Sequence, residues 1–342
     1  MNLKKAKTAI EAILKANLEQ NADKDYARNI VPYLVSVPGL GKSSIIEQIC
    51  DENDWDLDVL VAATMDVVDL GGMPMLNEET NVYERSTPFF LYRKDTTRVR
   101  VLFLDELPQS PTSNLNAIAQ LANERRISEH FVDDNTVIVC AGNPMSSKAG
   151  TVPLPSHLRD RLTFIEVEPE IDTFLEYANS KKLDHRILGF LRRMPQMLSQ
   201  FDPTLDSCPS PRSWLRVDTI LKMGMVSYLE QEVVKGQVGA GAQADFINYL
   251  KVADKMPDID GILKGTVNDV PDDAGVLYAT CAALAAKVTS KSARHFVSYL
   301  QSIPNTEYGA FTIRDAVHRD AKLLNNDYVN KWFHETGAEL LL

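Results

Sequence analysis

The chain has 342 residues, of which 44% are hydrophobic, and its net charge is −11. This length is more than one hydrophobic core usually serves, so we expect two or three domains. The acidic balance excludes a protein whose whole surface is basic enough for duplex DNA, although a local basic loop stays open. No run has the length and apolarity of a membrane span, and the N-terminus lacks a signal-peptide pattern. The four cysteines lie far apart, which favours buried thiols in a reducing, cytoplasmic compartment over zinc sites or disulfides.

The first half of the chain alternates between strand and helix patterns. Residues 1–18 place apolar side chains at helical spacing and predict a surface helix. Five apolar runs predict β-strands: Val31–Val35, Leu57–Ala63, Val99–Asp105, Thr136–Gly142 and Thr163–Val167. Asn114–Arg125 predicts another helix, with Ser110 and Pro111 near its start. This alternation predicts an α/β fold in which helices cover both faces of a parallel sheet.

Strand patterns fade after Pro169, and helical patterns take their place. They cover Ile171–Met197, Leu215–Leu229, Asp245–Val252 and Gly275–Leu300. A glycine-rich stretch at Lys235–Ala242 predicts a break, and Met256–Asp273 predicts a loop of proline and aspartate. We therefore predict an α/β domain over residues 1–168, a helical domain over 169–255 and a helical C-terminal extension over 256–342.

The loop between the first strand and the next helix carries glycines, a lysine and serines. Its candidate binding residues are Pro38, Gly39, Leu40, Gly41, Lys42, Ser43 and Ser44. The order strand, glycine loop, helix is the context of a phosphate-binding loop, where backbone N–H groups and the helix N-terminus attract anions. Lys42 is expected to neutralise β- and γ-phosphate oxygens, and the Ser43 hydroxyl to ligate Mg²⁺. The usual pattern has glycine where this chain has Ser36, and the alternative is an incidental Gly/Pro turn.

Two adjacent acids, Asp105 and Glu106, follow the third predicted strand. An α/β sheet binds ligands at the carboxyl ends of its strands, so Asp105 is expected to hold Mg²⁺ there. Glu106 is expected to orient and polarise an attacking water. A solvated turn after the strand is the structural alternative, and the phosphate-loop pattern upstream counts against it.

Asn143 follows the fourth strand, which we expect beside the acid-bearing strand. There it could hydrogen-bond the attacking water or the γ-phosphate, whereas Asn-Pro alone is only a turn signal. Arg161, and as second choice Arg159, stand just before the fifth strand, where an arginine from a neighbouring subunit could complete a phosphoryl-transfer site. The alternative for this pair is a surface ion pair with Asp160.

Ser210-Pro211-Arg212-Ser213-Trp214 reads as the start of a helix in the second half of the chain. Arg212 is then expected to project from the helix start toward the γ-phosphate. The alternative is an incidental surface arginine beside a buried Trp214.

In this order, the loop, the Asp-Glu pair, the asparagine and the arginines resemble an AAA+ ATPase of the MoxR branch, which includes the MoxR-like and CbbQ/NirQ-like ATPases. Ala63–Pro74 resembles the branch's Asp-Leu-x-Gly signature, and Pro108–Arg126 resembles the helix after its Asp-Glu motif. The Ser-Pro-Arg-Ser-Trp form and Gly236–Gly239 look like phage- and bacteria-encoded members. The resemblance runs over roughly Ile30–Phe246.

This resemblance implies a P-loop AAA+ domain with a helical lid, ATP and Mg²⁺ as ligands, and a homo-oligomer, expected to be a hexameric ring with ATP at its interfaces. It also implies a protein client, often a von Willebrand factor A-domain protein, in the cytoplasm of a bacterium or phage-infected cell. Family members carry hairpin insertions near Gly71–Arg93 and Ile127–Asn135 that face the pore or a partner. Here Asn77–Asn81 fits a hairpin turn, and His130-Phe131 fits either an exposed hairpin or a strand cap.

The sequence thus predicts an enzyme that hydrolyses ATP to ADP and phosphate in order to remodel or activate a partner protein. Two alternatives stay open. One is a DNA-acting motor or loader of the phage replication or restriction type, against which the acidic charge counts. The other is a nucleotide switch or scaffold that does not hydrolyse, against which the Asp105-Glu106 pair counts. No membrane partner is expected.

Overall fold

A computed structural model describes residues 1–147 and 152–337 of the chain. The chain divides into two compact units, residues 1–168 and 169–342. Within the described residues, none of the helices combines the length and the apolarity that crossing a bilayer requires.

The first unit is an α/β domain. Its strands are β1 (Val31–Val35), β2 (Asp56–Val61), β3 (Pro74–Asn77), β4 (Val82–Arg85), β5 (Arg100–Asp105), β6 (Arg126–Ile127), β7 (His130–Phe131), β8 (Thr136–Gly142) and β9 (Leu162–Glu166). Its helices are α1 (Leu3–Ala22), α2 (Lys42–Asn53), α3 (Val67–Gly71), α4 (Thr112–Glu124) and α5 (Ser156–Arg159), with 3-10 turns at Tyr26–Arg28, Ala62–Thr64, Phe89–Leu91, Leu107–Gln109 and Met145–Ser147.

Five of these strands form one parallel sheet in the order β2-β5-β8-β1-β9. Alternate residues of β5 point into two separate cores: Leu102 and Leu104 pack with α4, and Val101 and Phe103 pack with α1 and α2. Helices therefore cover both faces of the sheet, which confirms the predicted α/β fold class. The five predicted strands match the observed ones to within about two residues at each end, the uncertainty usual for element boundaries.

Two short hairpins stand apart from the sheet. β3 pairs with β4 around the predicted turn, and β6 pairs with β7. The hairpins touch, because the Arg85 backbone N–H donates to Glu129 Oε1 at 2.7 Å. Both expose large apolar side chains at their surface, including Tyr83 (74% exposed) and Phe131 (71% exposed). The predicted hairpins are therefore present.

The regular elements of the second unit's described residues are all helices, joined by loops such as residues 199–210 and 265–273. Its helices are α6 (Ile171–Ser180), α7 (His185–Arg193), α8 (Pro211–Lys222), α9 (Ser227–Ala253), α10 (Ile259–Lys264), α11 (Ala274–Lys287), α12 (Ala293–Ser302), α13 (Thr306–Arg319) and α14 (Asp327–Trp332), with 3-10 turns at Pro195–Leu198 and Ala321–Asn325 and a final π turn at Phe333–Gly337. The helical patterns predicted at Ile171–Met197 and Gly275–Leu300 are each split into two helices.

The sequence predicts two irregular stretches in this unit: the break within Lys235–Ala242 is confirmed, and the loop over Met256–Asp273 is wrong. The break is a kink of α9 at Gly239, which leaves helical geometry with φ 81° and ψ 163°. A Cβ at Gly239 would lie 2.6 Å from the Ser207 carbonyl oxygen, so the chain needs glycine at this kink. Met256–Asp273 contains α10, whose N-terminus is capped by the Asp258 side chain. An aspartate that suggests a loop in sequence serves here as a helix cap.

The second unit holds two apolar clusters that share α11. Ala279 packs in the cluster around Trp214, and Cys281 packs in the cluster around Trp332. The unit is also joined by an ion pair between α7 and α13, in which Arg192 Nε donates to Asp315 Oδ2 at 3.0 Å. The division of this unit at residue 255 into a lid and an extension stays a prediction.

Candidate functional site

The glycine loop connects β1 to α2 through two left-handed residues. Gly39 has φ 82° and Gly41 has φ 103°, a region that residues with a Cβ adopt at a cost. Helix α2 begins at Lys42, directly after the second of them. The first N–H groups of a helix have no partner within the helix, so the loop and the start of α2 present donors to an anion.

Lys42 is held against the end of the sheet by oxygen atoms. Its Nζ donates to the Ser36 carbonyl oxygen at 3.1 Å, to Ser36 Oγ at 3.2 Å and to Asn143 Oδ1 at 3.0 Å. Ser36, which the sequence marks only as a departure from the usual glycine, is 4% exposed. Its hydroxyl is a contact of the central lysine that sequence reasoning missed, and the serine itself is the signal that could have found it.

Ser43 and Asp105 meet across the same edge. Ser43 Oγ donates to Asp105 Oδ2 at 3.3 Å, and the other carboxylate oxygen, Oδ1, accepts the Glu106 backbone N–H at 2.8 Å. A hydroxyl and a carboxylate are the hard oxygen ligands that suit Mg²⁺, which usually takes one or two protein ligands beside phosphate oxygens and waters. The described residues contain no cluster of three or more His, Cys, Asp or Glu side chains that could hold a metal on their own. The pair therefore fits a magnesium ion that a phosphate ligand helps to hold.

Asn143 reaches the lysine because of the strand order. β8 pairs with β1 on one side and with β5 on the other. The residue after β8 therefore lies between the glycine loop and the Asp105-Glu106 pair. The predicted neighbourhood of the β5 and β8 strand ends is the one observed.

Glu106 occupies a turn with unusual backbone geometry. It is exposed, and its φ of 59° and ψ of 36° place it in the left-handed region. Such a conformation in a residue other than glycine costs energy and is often found at functional sites. The next two residues, Leu107 and Pro108, are buried and anchor the turn.

The two arginines before β9 differ in environment. Arg159 ends α5 and is exposed, whereas Arg161 is half-buried and donates from its guanidinium to the His157 carbonyl oxygen. Neither arginine forms an ion pair with Asp160 in the part of the chain that the structure describes, so that alternative gains no support.

Arg212 lies in the first turn of α8 and is exposed. Helix α8 begins at Pro211 as predicted, with Ser210 and Ser213 forming reciprocal capping hydrogen bonds. Trp214 is fully buried. Arg212 belongs to the second unit, and its role toward the phosphate stays a prediction.

Comparison with known proteins gives no close relative. No protein-family model and no curated protein matches the chain. Similar solved structures include the Thermotoga maritima RuvB Holliday junction branch migration motor, at 16% identity over 87% of this chain and 87% of that chain, with a TM-score of 0.40. NtrX from Brucella abortus is similar at 13% identity over 79% of this chain and 67% of that chain, with a TM-score of 0.38.

Proposed function

We propose that the chain is a Mg²⁺-dependent ATP hydrolase of the AAA+ class. The observation that carries the proposal is the contact set at one edge of the sheet, where Lys42 meets Asn143 and Ser43 meets Asp105. These side chains come from the ends of two neighbouring strands, β5 and β8, and from the start of α2, and they combine an anion site with a cation site. A nucleoside triphosphate with Mg²⁺ is the ligand class that needs both.

In this proposal, binding of the triphosphate rests on Lys42 and on the N–H groups of the loop. Lys42 Nζ already contacts three oxygen atoms, so it is placed to accept phosphate oxygens as partners. Ser43 and Asp105 hold Mg²⁺, which supplies charge neutralisation on the phosphate oxygens when it is bound. Catalysis of this kind depends on positioning and electrostatics.

The remaining two side chains act on the attacking water. Glu106 is exposed to solvent, and its carboxylate can accept a hydrogen bond from a water molecule. That hydrogen bond orients the water and raises the electron density on the water oxygen. Asn143 Oδ1 faces Lys42, so its amide group joins the lysine to the neighbouring strand end. We assign to Asn143 the detection of the γ-phosphate or of the water that attacks it.

We also propose the finer assignment to the MoxR-like branch, acting in the cytoplasm. In support, α3 begins within the Asp66–Gly72 part of the resembling segment, and both expected hairpins are present with exposed apolar side chains. A ring of identical subunits, completed by an arginine from each neighbour and acting on a protein client, follows from this assignment. Arg212 is proposed to contact the phosphate from the lid.

The proposed activity is tested by a steady-state ATPase assay with and without divalent metal. We expect phosphate release from ATP when Mg²⁺ is present, and we expect this activity to be lost on addition of EDTA. Ser43 and Asp105 are proposed as ligands of the ion, and without the ion they cannot neutralise the charge of the phosphates. Restoring Mg²⁺ in excess should restore the rate. A chain that binds ATP but releases no phosphate under any of these conditions would contradict the enzyme proposal and favour a switch.

Lys42→Ala is expected to weaken ATP binding by about 100-fold, because it removes the cation that the phosphates contact in the low-dielectric edge of the sheet. Binding of a fluorescent ATP analogue measures the change. The matched control is Lys5→Ala, at an exposed position of α1, which should bind ATP as the unmodified chain does. Equal affinity in Lys42→Ala and Lys5→Ala would contradict a role of Lys42 in phosphate binding.

A further inference from the structure

The last residue of β8, Gly142, is surrounded on the side where a Cβ would stand. A Cβ built there would lie 2.3 Å from Pro108 Cδ, 2.8 Å from Pro108 Cγ and 2.5 Å from Tyr33 Oη. These distances are too short for real atoms in contact. Gly142 lies in a strand and its φ is not positive, so the position needs glycine for space rather than for conformational freedom.

Pro108 has little room to move away from such a Cβ. It is buried in the 3-10 turn Leu107–Gln109, and its carbonyl oxygen accepts the Val152 backbone N–H at 2.6 Å. Tyr33 is also constrained, because it is 2% exposed and its ring packs edge-on against Phe164 with centroids 5.0 Å apart. The same burial raises the pKa of the Tyr33 hydroxyl, which stays neutral. The two groups that a Cβ at Gly142 would meet, the Pro108 ring and the Tyr33 hydroxyl, therefore both belong to buried residues.

This contact joins two residues of the proposed mechanism. Gly142 directly precedes Asn143, and Pro108 stands two residues after Glu106. The turn between Glu106 and Pro108 is short and held by hydrogen bonds, since Gln109 N–H donates to the Glu106 carbonyl oxygen at 3.1 Å. A displacement of the Pro108 ring would therefore reach the left-handed backbone of Glu106.

We propose that the Gly142–Pro108 contact sets the position of Glu106 relative to Asn143, so that Gly142 and Pro108 are positioning residues for ATP hydrolysis. The inference rests on the proposed function. It predicts that the water-orienting carboxylate is fixed by the strand that carries the phosphate-contacting asparagine. Gly142 has no side chain and the Pro108 ring has no polar atom, so neither supplies a group that binds phosphate, and the affinity for ATP should change little when this contact changes.

The test is a double-mutant cycle with three variants: Gly142→Ala, Pro108→Ala with Tyr33→Phe, and all three changes together. The second variant removes the ring atoms and the hydroxyl that the new methyl group would meet. We expect Gly142→Ala to lower kcat about tenfold or more, since displacements near 1 Å can have effects up to about 100-fold. We expect the KM for ATP to stay within about twofold. The triple variant should regain kcat to within about threefold of the unmodified chain, which is a non-additive result.

The cycle includes controls for the substitutions themselves. Gly241→Ala, in α9 with open space at the Cβ position, and Pro203→Ala, at an exposed position, should leave kcat unchanged. Thermal melts report whether Gly142→Ala folds. If it does not, the Pro108→Ala and Tyr33→Phe variant carries the test alone, because loosening the turn should lower kcat at an unchanged KM.

Three results would overturn the inference. The first is a folded Gly142→Ala variant whose kcat equals that of the unmodified chain. The second is a triple variant that is as slow as Gly142→Ala. The third is a Gly142→Ala variant that loses ATP binding in parallel with kcat. An unmodified chain with no ATPase activity would overturn the proposed function and this inference with it. An active unmodified chain with any of the three results would overturn this inference alone.

Discussion

Mixing two inactive variants of this chain is expected to restore ATP hydrolysis. One of the two variants Arg159→Ala and Arg161→Ala removes the arginine that is proposed to act on the neighbouring subunit. That variant should lower kcat by about 10³-fold, the lower end of the range for such arginines. That variant keeps its own Lys42, whereas Lys42→Ala keeps its arginine. At an interface between them, one chain supplies the loop and the other the arginine. In a ring of head-to-tail contacts mixed in equal amounts, roughly a quarter of the interfaces combine both groups.

The two arginines are distinguished by the same experiment. The structure favours Arg159 as the arginine that acts on the neighbour, because Arg159 is exposed and Arg161 is held by the His157 carbonyl oxygen of its own chain. The sequence pattern instead favours Arg161. Steady-state phosphate release is measured for each variant alone and in mixtures with Lys42→Ala. The matched control is Arg28→Ala. Arg28 lies in the 3-10 turn Tyr26–Arg28 that follows α1, and its side chain is 77% exposed, so this variant should be fully active alone. An arginine variant that is inactive alone and stays inactive in every mixture would mean that the arginine acts within its own chain.

Glu106→Gln is expected to lower kcat by about 100- to 1,000-fold while ATP binding stays within about twofold of the unmodified chain. Glutamine keeps the size and some hydrogen bonding of the side chain, but it lacks the negative charge that polarises a water. The Glu106 backbone N–H contact with Asp105 is retained, so the metal ligand stays in place. The variant should therefore bind ATP, stall before hydrolysis and stabilise the oligomer.

Three measurements separate these effects: phosphate release, binding of a fluorescent ATP analogue, and sedimentation with ATP present. Glu47→Gln, on the exposed face of α2, is the matched control and should hydrolyse ATP normally. Glu106→Gln with a normal turnover rate would show that another group orients the water. A variant that lost ATP binding as well would instead assign Glu106 to binding.

The strands of the sheet could be predicted because of where they lie. Strands buried on both faces are apolar at nearly every residue, so β5 and β8 appear in sequence as continuous runs. The glycine loop could be predicted because its glycines, lysine and serine are tied to one ligand chemistry. The middle of α9 is expected from the sequence only as a break, since its glycines lower helix propensity by about 1 kcal/mol each. The break is confined to Gly239, and buried Val234, Val238 and Ala242 pack the helical turns on either side of it.

The detailed geometry of the site could not be predicted from the types of its individual residues. A positive φ is normally indicated by glycine, so nothing in the sequence marks Glu106 as left-handed. The contact of Ser36 with Lys42 depends on the path of the loop between them. The space requirement at Gly142 depends on Pro108, which lies on another element and meets Gly142 only after the sheet has formed. Such features arise from tertiary packing and become visible only in three dimensions.

The three oxygen contacts of Lys42 have a thermodynamic consequence. A lysine side chain that becomes ordered loses up to about 2 kcal/mol of rotamer entropy, and here that loss accompanies folding of the chain. The arrival of a phosphate then exchanges one set of oxygen partners for another, with little further ordering of the side chain. The entropy change of binding at this residue should accordingly be small, and the speed of association should be governed by access to the loop rather than by a conformational search of the lysine.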